Sequence, residues 1–325
     1  MAPFHGCEPG FYTQSLNMHN ATSKIDQAMI LAAGFGTRLR PYTLVRPKPL
    51  FPVLNRPLLH MLLDLLADAD CERIVVNGHH LADQVEAALA GYPQVHFQRE
   101  EEILGTGGSL RRAMPELDDA PFLVMNGDIV HNVDLAALYA YHRQSGNLVT
   151  MALHDCPRFN TVLVDGDQVR GFDRQAPGAK LAFTGIHVVD PHILTRIPED
   201  SFFHIIDLYQ QLAREGSLGF VRVDGAYWQD MGTPEDYLRV HQDLLVGPAA
   251  GLLTGTGQRQ GNWLIAEDAR LGQDVHLDGW GCIGPGAEIG QGARLRGAVV
   301  WPGARIKPGM MITDAIVSGM PEAQA

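Results

Sequence analysis

"AMILAAGFGTRLRPYTLVRPKPL", residues 28 to 50, starts as an apolar run, breaks at Gly34 and Gly36, and then gathers Arg38, Arg40, Arg46 and Lys48 among three prolines. A short apolar run bounded by glycine reads as a buried strand, so the cations follow a strand end. Spacing tests two familiar nucleotide loops. A dinucleotide fingerprint wants a third glycine where Leu39 stands and an acid about twenty residues on, where the chain has Asn55. A phosphate loop ending in Gly-Lys-Ser/Thr finds no such tripeptide. What remains is a glycine-rich turn whose exposed N–H groups can approach a phosphate closely. Arg38 could grip phosphate oxygens bidentately, and Lys48, held between Pro47 and Pro49, could supply a point charge. A tight turn with solvated basic residues around it accounts for the same letters.

The positive charge is local. The chain of 325 residues carries a formal net charge of -12, which excludes the broad basic face of a nucleic-acid or membrane-surface binder. With 46% hydrophobic residues it can bury a large core. Cys7, Cys71, Cys156 and Cys282 are widely spaced with no CxxC pair, so neither a zinc site nor a disulfide framework is suggested and a reducing, cytoplasmic compartment is expected. No apolar run approaches the ~20 residues of a membrane span. Residues 1–26 lack a signal-peptide pattern and show no periodicity, so they read as a disordered leader, with Met18 a further candidate start.

From residue 27 short β-type runs alternate with helical segments: "AMILAAG", "PLLHMLLDLLADA", "RIVVN", "LADQVEAALA", "VHFQ". This is the rhythm of βαβ units around a mostly parallel sheet. "NTVLVDGDQVRGF" alternates about a Gly-Asp turn and predicts an inserted antiparallel hairpin. Thr233 before Pro234, with Asp236 in the first turn, predicts a helix start. Residues 246–262 are rich in glycine and small residues and read as a linker. Beyond them Ile265, Leu271, Leu277, Ile283, Ile289 and Leu295 recur every six residues, with a small or branched column at Ala269, Val275, Gly281, Ala287, Ala293 and Val299. A fixed period marks a solenoid, and a six-residue unit resembles the left-handed parallel β-helix, here of about three coils over residues 263–318 with a tail at 319–325. So short a stub is expected to serve assembly into a homo-oligomer, and truncation after Leu245 to leave some turnover.

"LAAGFGTRLRPYT" followed by "RPKPL", then "NGDIV", "FTGIHV" and "YWQDMGTPEDYL" in order, resembles the signature of the sugar-1-phosphate nucleotidyltransferases over roughly residues 27–245. The resemblance implies an α/β domain of the Rossmann-like glycosyltransferase A type that joins a nucleoside triphosphate to a sugar 1-phosphate. It implies nucleotide contacts at Leu31, Ala33, Gly34, Gly36, Thr37, Arg38 and Lys48, with Arg38 and Lys48 catalytic, and Mg²⁺ held by Asp128 and Asp230. Hard carboxylate oxygens suit that ion. "EEEILGTGGSL" resembles the base-binding loop through Gly105 and Thr106, although Thr106 as a plain helix cap reads equally well. Gly185, Asn160 and His204 stand on the sugar side. Within the family the chain is most similar to bacterial mannose-1-phosphate guanylyltransferases, followed by uridylyltransferases acting on MurNAc 1-phosphate. Asp173-Arg174-Gln175 and His204 depart from the pattern in the sugar region. Two rival readings are an acyltransferase using the hexapeptide repeat, with His276 as base, and a nucleotide-sugar sensor without turnover.

Overall fold

The computed structural model describes residues 24–319, so the expected leader as far as residue 23, with Cys7 and Met18, and the tail from residue 320 lie outside it. Ile25, inside the expected leader, is fully buried and its N–H donates to Ala69 O at 3.4 Å. Two compact groups of residues emerge: 24–35 with 62–228, and 36–61 with 229–319. The signature segment is therefore divided: residues 31–35 fall in the first group, and from Gly36 on it clusters with the C-terminal part of the chain.

The first group is built on a nine-stranded sheet with the order β3-β2-β1-β4-β8-β5-β9-β7-β6. Its strands are β1 (Gln27–Leu31), β2 (Arg73–Gly78), β3 (Val95–Arg99), β4 (Phe122–Asn126), β5 (Val149–His154), β6 (Asn160–Asp165), β7 (Gln168–Phe172), β8 (Lys180–Val189) and β9 (Leu218–Arg222). In chain order the helices are α1 (Leu58–Asp68), α2 (Ala82–Leu89), α3 (Gly105–Ala113), α4 (Leu135–Ser145), α5 (Ile205–Glu215) and α6 (Pro234–Leu245), the first straddling the two groups and the last lying in the second. The expectation of a mostly parallel sheet needs correction. The β3-β2-β1-β4 half and the β5/β9 pair are parallel, but β8 runs antiparallel to both β4 and β5, and the predicted hairpin β6-β7 joins the same sheet antiparallel. The reason is connectivity: β8 follows the hairpin and comes back into the sheet without a crossover helix, which parallel entry would require. Val149, Met151 and Leu153 of β5 and Leu208, Tyr209 and Leu212 of α5 belong to one buried cluster.

Besides a short antiparallel pairing of Pro52–Val53 with Arg56–Pro57, the second group holds two sheets. One comprises β10 (Gln258–Gln260), β11 (Trp263–Ile265), β13 (His276–Ile283), β15 (Arg294–Val300) and β17 (Met311–Val317), parallel except for β10. The other is all parallel: β12 (Arg270–Leu271), β14 (Glu288–Ile289) and β16 (Arg305–Ile306). In the second sheet Arg270 lies beside Glu288, 18 residues on, and Glu288 beside Arg305, 17 on. Ile283, Ile289 and Leu295 of the six-residue column are buried with Ala287, Ala293 and Ala304, whereas Leu271 is exposed. Part of the expected linker is folded, since β10 pairs with β11 and Ala249 is buried. Cys71 and Cys282 are free and buried, and burial pushes the Cys71 thiol up to about 12. No helix among the described residues is long and apolar enough to cross a membrane.

Five histidines are buried among the described residues, His131, His142, His154, His187 and His241. Burial lowers His187 to about 3 and His131, His142 and His241 to about 4, and it lowers His154 as well. Neither ring nitrogen of His187 meets a hydrogen-bonding partner among the described residues. Because the folded-state values are depressed below the ordinary ~6.5, the unfolded chain binds more protons at lower pH. Stability is then complete above ~6.5 and lost as pH falls toward 4. Urea midpoints should fall steadily from pH 7 to 4.5, and less steeply in His187→Phe. A midpoint flat over that range would refute the buried neutral histidines as the cause.

Candidate active site

In the first group, polar side chains meet at the C-terminal ends of β1, β2 and β3. Ala32 N–H donates to Asn77 Oδ1 at 2.7 Å, and Asn77 Nδ2 donates to Glu100 Oε1 at 2.8 Å. Gln98 Nε2 donates to the same carboxylate oxygen at 3.1 Å and to Ser109 O at 3.1 Å. Glu100 is only 2% exposed, and its Oε2 accepts no hydrogen bond among the described residues. An unpaired buried acceptor costs about 1–3 kcal/mol, so its retention at a strand edge points to recognition. Neither Glu100 nor Asn77 was singled out from sequence. Glu100 stood in the base-loop segment as one of three consecutive glutamates, whereas Asn77 had no signal beyond ending a strand.

Gly105, with φ +68°, opens α3. The expected cap does not form: α3 has no side-chain cap, and Thr106 Oγ1 instead accepts from Ile205 N at 3.2 Å, at the start of α5. The N–H of Gly107 donates to Phe203 O at 2.8 Å, so the loop before α5 takes the place of a capping side chain. Asp128 follows β4 in a turn held by Gly127 N–H on Leu31 O at 2.8 Å, which brings Leu31 and the Asp128 turn together. Gly185 has φ +80° and occupies the bulge of β8 between Phe183 and His187. A Cβ there would lie 2.5 Å from the Asn126 amide, so the missing side chain first makes room for Asn126. Asn160 is engaged locally, accepting from Cys156 N at 2.9 Å and donating to Asp155 at 2.8 Å. His204 precedes α5 without capping it and meets Phe202 edge to face. Ala33 and Gly34 continue from β1, and a Cβ added at Gly34 would meet nothing within 4 Å among the described residues.

The second group carries the charges. Gly36 at φ +59° starts the 3-10 turn Thr37–Leu39, and Thr43 Oγ1 donates to Gly36 O at 3.1 Å. A Cβ at Gly36 would fall 2.8 Å from the Thr43 methyl, so this turn needs glycine for both conformation and space. After another 3-10 turn at Tyr42–Leu44, Lys48 heads a third, Lys48–Leu50, shaped by Pro47 and Pro49. Its side chain is 8% exposed, and Nζ lies 3.3 Å from Asp230 Oδ1, whose side chain is 15% exposed. Arg38, with an exposed side chain, reaches the other Asp230 oxygen at 3.9 Å. Gly232 allows this approach, since its Cβ would lie 2.5 Å from Asp230 Oδ2. Thr233 then caps α6, accepting from Asp236 N at 3.2 Å as predicted. Arg38, Lys48 and Asp230 are thus brought together.

A family model described as nucleotidyl transferase matches residues 27–246. The chain is 34% identical over 305 residues to the mannose-1-phosphate guanylyltransferase of Mycobacterium tuberculosis, covering 90% of this chain and 84% of that protein. It is 28% identical over 340 residues to the UTP–glucose-1-phosphate uridylyltransferase of Synechocystis sp., with 90% and 87% covered. Among solved structures, HddC from Yersinia pseudotuberculosis complexed with GMP-PN superposes with a TM-score of 0.56 at 24% identity, over 66% of this chain and 98% of that chain, a likeness of fold.

The Lys48–Asp230 pair generates a stability test. Removing one partner of a mostly buried pair leaves the other uncompensated, whereas removing both is milder. Asp230→Asn should therefore lower unfolding stability by about 1–3 kcal/mol, and Lys48→Met in that background should restore part of it. Denaturant titration of both single variants and the double would show additive losses if the pair carried no coupling.

Proposed function

The chain belongs to the nucleotidyl transferase family, and we propose that this sugar-1-phosphate nucleotidyltransferase joins GTP to mannose 1-phosphate, releasing pyrophosphate. A phosphate oxygen of the sugar 1-phosphate attacks the α-phosphorus of the triphosphate in line. The new O–P bond forms as the bond to the bridging α,β oxygen breaks, and the electron pair leaves with pyrophosphate. Direct displacement asks the protein for positioning and charge neutralisation rather than a covalent intermediate. Arg38 and Lys48 supply the positive charge, and the open space at Gly34 leaves its backbone free for phosphate approach.

The observation that carries the guanine reading is Glu100. Its Oε2, buried beside the Gly105 loop, is an acceptor without a donor among the described residues. Guanine offers adjacent N1–H and N2–H donors on one edge, which a carboxylate accepts well. Uracil offers a single N–H flanked by carbonyl acceptors, which a carboxylate repels. Adenine's corresponding edge mixes donor and acceptor. The M. tuberculosis relative, named for guanylyl transfer, agrees with this choice. The relative from Synechocystis supports the alternative, a uridylyltransferase acting on glucose 1-phosphate or another hexose phosphate such as MurNAc 1-phosphate.

Mg²⁺ is assigned to Asp128 and Asp230. The fit is chemical: carboxylate oxygens with substrate phosphates and water are the donors Mg²⁺ takes. The ion would neutralise phosphate charge. Asp230, already set against two cations, is held ready by the same residues that meet the phosphates. Gly185, Asn160 and His204 are proposed for the sugar side, with Thr37 and Ala33 on the nucleotide. A cytoplasmic setting fits substrates of this class. The 17–18-residue spacing of β12, β14 and β16 supports reading residues 263–318 as a left-handed β-helix, and a homo-oligomer is proposed with it.

Pyrophosphate release from a matrix of nucleoside triphosphates and sugar 1-phosphates tests the whole reading. GTP with mannose 1-phosphate should give the highest kcat/KM, and Glu100→Gln should lower it about 10- to 100-fold for GTP, the worth of hydrogen bonds to a charged group, while changing UTP little. UTP preferred by the native protein would overturn the guanine assignment. Asp128→Asn and Asp230→Asn should each cut turnover by about two or more powers of ten, with the double variant little worse, because groups acting on one ion are non-additive. Losses that multiplied independently would sink the shared ion.

A further inference from the structure

Trp301 lies in the C-terminal part of the chain, just after β15, and is 1% exposed. It follows the hexapeptide columns and touches none of the substrate groups proposed above. Its surroundings are nevertheless the flanks of the Lys48 turn. The ring of Phe51 meets it edge to face at 4.8 Å between centroids, and Tyr42 lies at 5.8 Å. The Arg46 guanidinium stands 5.1 Å over the indole. Tyr42 and Arg46 precede Lys48 and Phe51 follows it, so a single indole braces the turn on both sides.

The same indole also reaches the segment that carries Asp230. Trp301 Nε1–H donates to Tyr237 OH at 3.1 Å, and Tyr237 OH donates to Pro52 O, just past the Lys48 turn. Tyr237 sits in the first turns of α6, which Thr233 caps three residues after Asp230. Two arms therefore meet at Trp301: one runs back from Phe51 to Lys48, the other from Tyr237 through the α6 N-terminus to Asp230. The 3.3 Å between Lys48 Nζ and Asp230 Oδ1 is the gap that these arms close.

We infer that Trp301 is a positioning residue for nucleotidyl transfer, holding Lys48 and Asp230 in register from the C-terminal sheets. This rests on the reading of Lys48 and Asp230 as phosphate and metal residues given above. It gives the chain beyond Leu245 a part besides the expected one in assembly, since truncation there removes Trp301 and strips the packing from Tyr42, Phe51 and Tyr237.

The test uses the full chain, with pyrophosphate release measured under conditions where circular dichroism shows each variant folded. Trp301→Ala should lower kcat about 10- to 100-fold, the scale of a ~1 Å misplacement, with KM for the sugar 1-phosphate within about twofold of native. Trp301→Phe keeps ring packing against Phe51 and Arg46 and should recover kcat to within about threefold. In a Lys48→Ala background, Trp301→Ala should cost little more, because both act through one group. If Trp301→Ala does not fold, Tyr237→Phe, which deletes one hydroxyl, should lower kcat severalfold with the fold intact. A folded Trp301→Ala with native kcat, losses at Trp301 and Lys48 that multiply in full, or a Tyr237→Phe with native kcat where that variant has to stand in, would overturn the inference while leaving the function standing. A native protein that turns over no triphosphate and sugar phosphate pair would overturn both.

Discussion

A lysine with 8% of its side chain exposed cannot keep its charge inside a protein without a counter-charge at hand. Lys48 finds Asp230, and much of the second group of residues can be understood as the apparatus for that meeting. Pro47 and Pro49 stiffen the turn that points the lysine, Gly232 clears space for the carboxylate, and Thr233 starts α6 directly after it. On the function proposed above, the pair also solves a functional difficulty. A site that must receive a polyphosphate needs concentrated positive charge, which repels itself until substrate arrives. A carboxylate between Arg38 and Lys48 relieves that repulsion and is itself a fitting ligand for the cation that accompanies phosphates.

The first group solves a different problem with neutral donors. Glu100 is buried, and two amide side chains, Asn77 and Gln98, converge on one of its oxygens, while the other, also buried, accepts no hydrogen bond among the described residues. Asn77 also accepts from the backbone N–H of Ala32, so the polar ladder is anchored to the end of β1, where the glycine turn begins. A carboxylate fixed in this way can act as a selective acceptor because it has little freedom to rotate away from a poorly matched base. Selectivity of that kind follows from leaving the wrong partner with unpaired groups.

The candidate site was partly legible in the chain. Arg38, Lys48 and Asp230 were named from ordered motifs, and the geometry brings all three within ion-pair distance. Thr106 was legible as a polar residue at a helix start but not in its role, because its hydroxyl serves α5 rather than its own helix. Gly185 was legible as a glycine that matters, yet the group it makes way for, Asn126, sits on a neighbouring strand. Glu100 was hidden among three glutamates, and nothing in spacing distinguishes the one whose side chain turns inward. Trp301 stands six residues after Leu295, the next step of the column, but the period says only that it is buried, and its further value comes from what it touches.

By itself the sequence determined the local outcomes: the strand ending in a glycine turn at Gly34 and Gly36, the hairpin about Gly166 and Asp167, the capped start of α6, and the six-residue columns beyond residue 263. These depend on backbone conformation and on period, which are properties of neighbouring residues. Tertiary structure alone decided that β8 would run antiparallel, that residues 36–61 would cluster with 229–319, and that Asn77, Glu100, Tyr237 and Trp301 would carry weight. Those outcomes depend on which distant surfaces become neighbours and which buried polar atoms find partners. Trp301 lies 64 positions from the tyrosine it bonds and Asp230 lies 182 from the lysine it neutralises, distances at which no periodicity along the chain carries information.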